Sequence, residues 1–252
     1  MNIAVITGAS SGLGAEYAKQ VLSLYPEIEE IFVIARREER LCELQAKLGN
    51  KIRPVPMDIT DTEKISEYKK LLSDNNARVK LLINNAGFGK LGDFDTLSTT
   101  DNASMVRLNC EALTVMTSVT LPFMPDGSEI INTCSIASFA PNVRMAVYSS
   151  TKAYVMSLSR ALRTELKKRN INVLAVCPGP MDTEFLPVAN ISKGVSKSFD
   201  MLPRVKVSQI AEKSLVASKS GKGVYTNRFI YKLYRVVAKI LPHSLVMKFC
   251  KT

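Results

Sequence analysis

Residues Tyr148-Ser149-Ser150-Thr151-Lys152 place a phenol and an ammonium four positions apart in a stretch that reads as a long helix. Positions i and i+4 lie on one helical face, so the two groups can share a site. A free tyrosine ionises near pH ~10, too high for ready proton exchange at neutrality. A neighbouring cation stabilises tyrosinate, and the pair predicts a phenol lowered by about one to three pH units where solvent is excluded. Such a tyrosine gives a proton to a carbonyl oxygen or takes one from an alcohol. Taken alone, the pattern also describes an ordinary helix-surface pair. Two more polar residues stand upstream: Ser135 at the end of an apolar run, thirteen positions before Tyr148, and Asn109 inside a helical stretch. An isolated mid-helix asparagine is often just a tolerated polar residue.

A second group of residues suits a phosphorylated ligand. Thr7-Gly8-Ala9-Ser10-Ser11-Gly12-Leu13-Gly14 joins the first apolar run to a helix. Glycines there allow a sharp turn, close approach of backbone to a pyrophosphate and tight helix–strand packing. The helix amides and dipole then favour the phosphates. The second apolar run ends Ile34-Ala35-Arg36-Arg37, with no acid before Glu38. An acid at that position would bind ribose hydroxyls, whereas arginine can pair with a 2′-phosphate. Either arginine can make the main contact, or both can simply solvate a loop. Asp58 and Ile59 follow the third run, and an aspartate before a helix is often an N-cap. Asn84-Asn85-Ala86-Gly87 closes the fourth run and is, by itself, a turn signal.

Positioning these groups requires regular alternation of strand and helix. Short apolar runs occur at Asn2–Thr7, Ile31–Ala35, Ile52–Met57, Leu81–Asn84, Glu129–Thr133, Ile171–Cys177 and Gly223–Thr226. Helical stretches lie between them near 13–24, 36–48, 62–73, 99–121, 147–169 and 207–219. That order predicts βαβ units and a parallel sheet covered on both faces, a doubly wound α/β fold. The 252 residues carry no repeat or linker and read as one domain, 1–252. Five cysteines stand singly at 42, 110, 134, 177 and 250, and His243 is the one histidine, near only Cys250. Disulfides and a metal site are not expected, and a reducing, cytoplasmic setting is. Met1-Asn2-Ile3 runs straight into a strand-like segment, read as no signal peptide. No run approaches the roughly 20 apolar residues of a membrane span.

In order and spacing, the glycine turn, Asn84-Asn85-Ala86-Gly87, Asn109, Ser135, Tyr148 with Lys152, and Pro178-Gly179-Pro180-Met181-Asp182-Thr183 resemble the short-chain dehydrogenase/reductase family. The resemblance runs from Asn2 to about Thr226 and implies a Rossmann-type fold with a seven-stranded parallel sheet. It implies a catalytic set of Asn109, Ser135, Tyr148 and Lys152, with Ser135 bonding the reacting oxygen and a water linking Lys152 through Asn109 towards solvent. By the same likeness Gly8, Ser10, Ser11, Gly12, Leu13, Gly14, Asp58, Ile59, Asn85, Ala86, Gly87, Pro178, Gly179 and Thr183 would hold a nicotinamide dinucleotide, together with Tyr148 and Lys152. Asp58 would meet the adenine and Thr183 the carboxamide. Arg36 and Arg37 point to NADP(H). Cys134 departs from the family's usual serine and does not touch the mechanism. The helices near 99–121 and 147–169 would pair between subunits, giving a homodimer or homotetramer.

The expected activity is hydride transfer between NADP(H) and a carbonyl or secondary alcohol. The rival is a non-catalytic NADPH-binding sensor or interaction module, which would have no need of Tyr148. Residues 184–207 form the expected substrate lid, with Phe185, Leu186, Val188, Ile191, Phe199, Met201 and Leu202 facing walls at 88–91 and 136–145. Those residues predict an apolar pocket for a small or medium substrate, or else they pack the lid onto the body. Net charge is +11, and no acid follows Glu212. In the basic extension 227–252, Arg228, Lys232, Arg235 and Lys239 form a stripe beside apolar Phe229, Ile230, Leu233, Val236, Val237 and Ile240. Docking of that apolar face on the domain is the preferred reading over an anionic membrane surface. Nucleic acid is not expected, since no recognisable module is present.

Overall fold

The structure is a computed structural model and describes residues 1–191, 194 and 200–248. The apolar runs become strands β1 (Asn2–Thr7), β2 (Glu30–Ala35), β3 (Ile52–Pro56), β4 (Arg78–Asn84), β5 (Glu129–Thr133), β6 (Asn172–Val176) and β7 (Val224–Tyr225). The helices are α1 (Gly12–Leu24), α2 (Glu38–Leu48), α3 (Thr62–Asp74), α4 (Thr99–Val106), α5 (Leu113–Thr120), α6 (Ala146–Glu165), α7 (Phe185–Val188), α8 (Val207–Lys219), α9 (Phe229–Ile240) and α10 (His243–Val246). All strands run parallel in the order β3-β2-β1-β4-β5-β6-β7. Chain order reverses between β1 and β4, and the carboxyl ends of those two strands therefore open a crevice.

Each strand serves two cores because successive side chains point to opposite faces. From β1, Ala4 and Ile6 pack with Tyr17 and Val21 of α1 and Ile210 and Leu215 of α8. Ile3 and Val5 pack on the other side with Tyr68 and Leu72 of α3 and Met116 near the middle of α5. Burial on both faces explains why the strands read as continuous apolar runs rather than alternating ones.

Several boundaries differ from the sequence reading. β4 begins at Arg78 rather than Leu81, because Asn2 and Ile3 pair with Arg78 and Val79 and draw the polar start of the strand into the sheet. The helix expected over 99–121 is interrupted by a π turn at Arg107–Ala112, and the one expected over 147–169 ends as a 3₁₀ turn at Leu166–Arg169. Within the lid, α7 is short. Phe199 and the tail Cys250 lie outside the described residues.

The terminal helix docks on the domain, as preferred, but only in part and chiefly through Tyr231 and Ala238 rather than the expected apolar face. α9 buries Tyr231 and Ala238 against the body, while Phe229, Ile230, Leu233, Val236 and Ile240 stay exposed. Its apolar arc is wider than the face that can touch the domain, so the side aromatic at Tyr231 docks and the aliphatic ridge faces out.

A buried polar chain ties the centre of the sheet to α6. Asn84 Nδ2 donates to Thr117 Oγ1 and to Asn132 Oδ1, each at 2.9 Å, and Asn132 Nδ2 donates to Ser159 Oγ at 2.9 Å. Asn132 is fully buried on β5, next to Thr133. Asn132→Ala strands two buried partners and is expected to cost about 1–3 kcal/mol in urea unfolding. A loss below about 0.5 kcal/mol would show that the chain does not brace this strand.

Candidate active site

The crevice deepens into a cavity of about 1200 Å³ running from Arg36 and Asp58 at one end to Tyr148, Phe185 and Tyr234 at the other. Of the catalytic and cofactor-binding residues expected from sequence, Gly14 and Asn109 stand behind its wall and the others line it. A Cβ on Gly14 would lie 2.2 Å from the Gly8 carbonyl oxygen, so this glycine serves the packing of α1 against the turn. Leu13 and Gly12 border the cavity at the start of α1, whose first turn carries no acid.

Thr7 locks the glycine turn to the end of β4. Its hydroxyl accepts from the amides of Asn85 at 3.0 Å and Ala86 at 3.1 Å. Asn85 Nδ2 donates back to the carbonyls of Thr7 and Gly8, each at 3.3 Å, and Thr133 Oγ1 donates to Asn85 Oδ1 at 3.2 Å. The Asn84–Gly87 turn is thus a junction of β1, β4 and β5 rather than a free loop.

Tyr148 and Lys152 lie in the first two turns of α6 and are buried. Lys152 Nζ donates to the Thr133 carbonyl at 2.8 Å and sits 5.8 Å from the centre of the Tyr148 ring. Ser135 caps the 3₁₀ turn Ile136–Ser138, accepting from the Ala137 amide at 3.1 Å, and its hydroxyl hydrogen-bonds the Tyr148 phenol. Phe185 packs on that ring with centroids 5.6 Å apart. Behind the pair, Asn109 in the π turn clamps Phe88, accepting from its amide at 3.0 Å and donating to its carbonyl at 2.8 Å. Asn109 Nδ2 also donates to Thr151 Oγ1 at 3.0 Å, and its Oδ1 would meet a Cβ on Gly87. π turns of this kind often mark functional sites because they re-aim one side chain within a helix.

The electrostatics correct one expectation. Burial pushes the Tyr148 phenol above its usual value, against the opposing hydrogen bond from Ser135. Burial likewise pushes Lys152 down, because it disfavours the ammonium. The sequence predicts a lowered tyrosine from a neighbouring cation. Desolvation wins instead, since the ammonium is turned to the Thr133 carbonyl and is itself disfavoured.

Sequence reasoning missed Glu184. Arg37 Nη2 donates to Glu184 Oε2 at 2.7 Å and to the hydroxyls of Ser10 at 3.1 Å and Ser11 at 3.3 Å, crossing the glycine turn. Hydrogen bonding to Arg37 holds the Glu184 carboxyl below its ordinary value. Arg36 is more exposed and lies 4.0 Å from Asp58. Glu184 is 147 positions from Arg37, and no local pattern could have joined them. Thr133 and the C-terminal Tyr231 and Tyr234 were also missed as parts of this site. Ile191 packs behind the wall with Leu91, and Met201 is exposed, so neither lines the cavity as expected.

With this geometry in hand, the comparisons agree on one family. Residues 2–193 match the model for short chain dehydrogenase, and the chain belongs to that family. An uncharacterised oxidoreductase of Staphylococcus epidermidis is 29% identical over 183 residues, which is 72% of this chain and 78% of that protein. A solved short-chain dehydrogenase from Sphingobium yanoikuyae in complex with NADPH is 25% identical, with a TM-score of 0.78 over 96% of this chain and 97% of that one. A bulky-bulky ketone specific alcohol dehydrogenase from Comamonas testosteroni is 26% identical, with a TM-score of 0.76 over 98% and 94% of the two chains.

Proposed function

We propose that this protein is an NADPH-preferring reductase that transfers a hydride to a carbonyl, or from the corresponding secondary alcohol, of a small or medium apolar substrate. The observation that carries this reading is the pair of buried Tyr148 and Lys152 beside half-buried Ser135 in a cavity that is also lined by two arginines. The residues present fit a dinucleotide. A helix N-terminus without acids borders the cavity beside the glycine turn, and Arg36 and Arg37 supply donors for a 2′-phosphate. The bound cofactor supplies the hydride.

The protein's own groups do the rest. Ser135 and Tyr148 hydrogen-bond the substrate oxygen and stabilise its developing charge. With its phenol pushed up by burial, Tyr148 keeps its proton at neutral pH and gives it to that oxygen, which suits the reductive direction. Lys152 provides the positive potential that steadies the tyrosinate left behind. The Asn109 side chain is committed to Phe88 and Thr151, so a water bridge to Lys152 falls to its main chain in the π turn. Phe185, Leu186, Met145 and Leu202 make the substrate end apolar and hold the reacting carbon in place. Likeness to the alcohol dehydrogenase with bulky ketone specificity adds support for a ketone.

Two measurements test this reading. NADPH carrying deuterium at C4 of its nicotinamide, incubated with a panel of apolar ketones and aldehydes, should yield an alcohol with one deuterium on the carbinol carbon. Bound but unconsumed NADPH with every carbonyl would overturn the proposal. Replacing Arg36 and Arg37 together by Ala should weaken NADPH binding about tenfold or more while changing NADH little, because charge-assisted bonds to the 2′-phosphate are lost. Equal weakening of both cofactors in a fluorescence titration would refute the phosphate role.

A further inference from the structure

The ridge that α9 turns outward is built from Phe229, Leu233, Val236 and Ile240, with fractional exposures of 80%, 47%, 53% and 73%. Their spacing of four, three and four residues keeps them on one side of the helix. Tyr231 and Ala238 hold the opposite side on the body, where Tyr231 Oη donates to the Pro203 carbonyl at 2.8 Å and its ring fills the space left by Gly179. Tyr234 packs on Phe139 with centroids 5.7 Å apart. The helix is therefore firmly seated, and its exposed ridge is a fixed surface. Leu241 and Leu245 continue the exposed apolar surface past the end of α9. Large apolar side chains exposed in one contiguous row mark an interaction face rather than random surface composition.

Charge decides the occupant. Lys232 and Lys239 stand exposed along one edge of the ridge with half-buried Arg235 between them and Arg228, bonded to the Arg204 carbonyl, at its start, and the chain carries no acid after Glu212. A second copy laid ridge to ridge offers no acid on its own α9 to meet this basic edge. An anionic lipid surface meets both features at once, taking the ridge into the acyl boundary and the basic edge onto the headgroups. Among the described residues no helix is long and apolar enough to cross a membrane, so the contact is of the kind that lies in the interface. On the other flank, Ile230, Leu233 and Val237 line the cavity, which places its outer wall beside the ridge.

We propose that α9 seats the protein on anionic lipid bilayers, with the cavity mouth held next to the interface. The inference does not depend on the hydride chemistry, and its test reads binding rather than turnover. The full chain is sedimented with vesicles of zwitterionic lipid alone and with vesicles holding about 30% phosphatidylglycerol, across a range of salt. The expected result is binding to the anionic vesicles only, weakening as salt rises. Phe229→Asp with Ile240→Asp should lower the partition coefficient about tenfold or more, and so should Lys232→Glu with Lys239→Glu. None of these four residues lines the cavity. Circular dichroism of each variant checks that the helix is retained, and the charge-reversal pair stands alone if the aspartates unfold it. Absence of sedimentation, equal binding to both vesicle types, or wild-type binding by a folded variant would overturn the proposal. Light scattering showing a wild-type dimer that the aspartate pair dissolves would overturn it too, and would make the ridge a seam between copies.

Discussion

The bond from Lys152 to the carbonyl of Thr133 is the constraint on which the site depends. It fixes an ammonium inside the protein at the carboxyl end of β5, where most lysines would be excluded. The bond can hold only if β5 and α6 keep their register, and the Asn84–Asn132–Ser159 chain supplies that brace one residue away. Thr133 has a second duty, since its hydroxyl steadies Asn85 at the glycine-turn junction. One strand end therefore aligns the Tyr148–Lys152 pair with the crevice between β1 and β4.

Burial gives that alignment its chemical consequence. Removing water raises the phenol of Tyr148 and lowers Lys152, because burial weighs against the charged form of each. Such a site is suited to holding a proton and releasing it where an oxygen gains charge, close to the Ser135 hydroxyl. The other end of the cavity behaves differently. Arg37 is half exposed and already paired with Glu184 across the turn, so an arriving anion must compete with a carboxylate for it. The inner end is set by desolvation and the outer end by screened, exchangeable charge.

Much of this was legible in the sequence because it rests on local rules. The strand–helix alternation gave the parallel sheet, since strands buried on both faces show as apolar runs that helix periods separate. Tyr148 and Lys152 were found together because helical spacing makes them neighbours. What escaped was set by distant or three-dimensional facts. Glu184 meets Arg37 through folding alone, and the Tyr148 shift depends on a burial that sequence does not weigh against a neighbouring charge. The π turn at Arg107–Ala112 has no strong sequence mark; Asn109 was singled out by family resemblance alone, and its bonds to Phe88 were not foreseen. For α9 the helical wheel gave the apolar arc correctly, yet could not say which part of so wide an arc would meet the body.

The most direct test of this account is the Tyr148→Phe variant, which keeps the ring and removes only the group that carries the proton. Cofactor affinity by fluorescence titration and turnover of an apolar ketone should be measured on the same preparation. The account predicts binding within about twofold of the native protein and turnover lowered by about 10²-fold or more. Native-like turnover would contradict it and move the proton source away from the buried phenol.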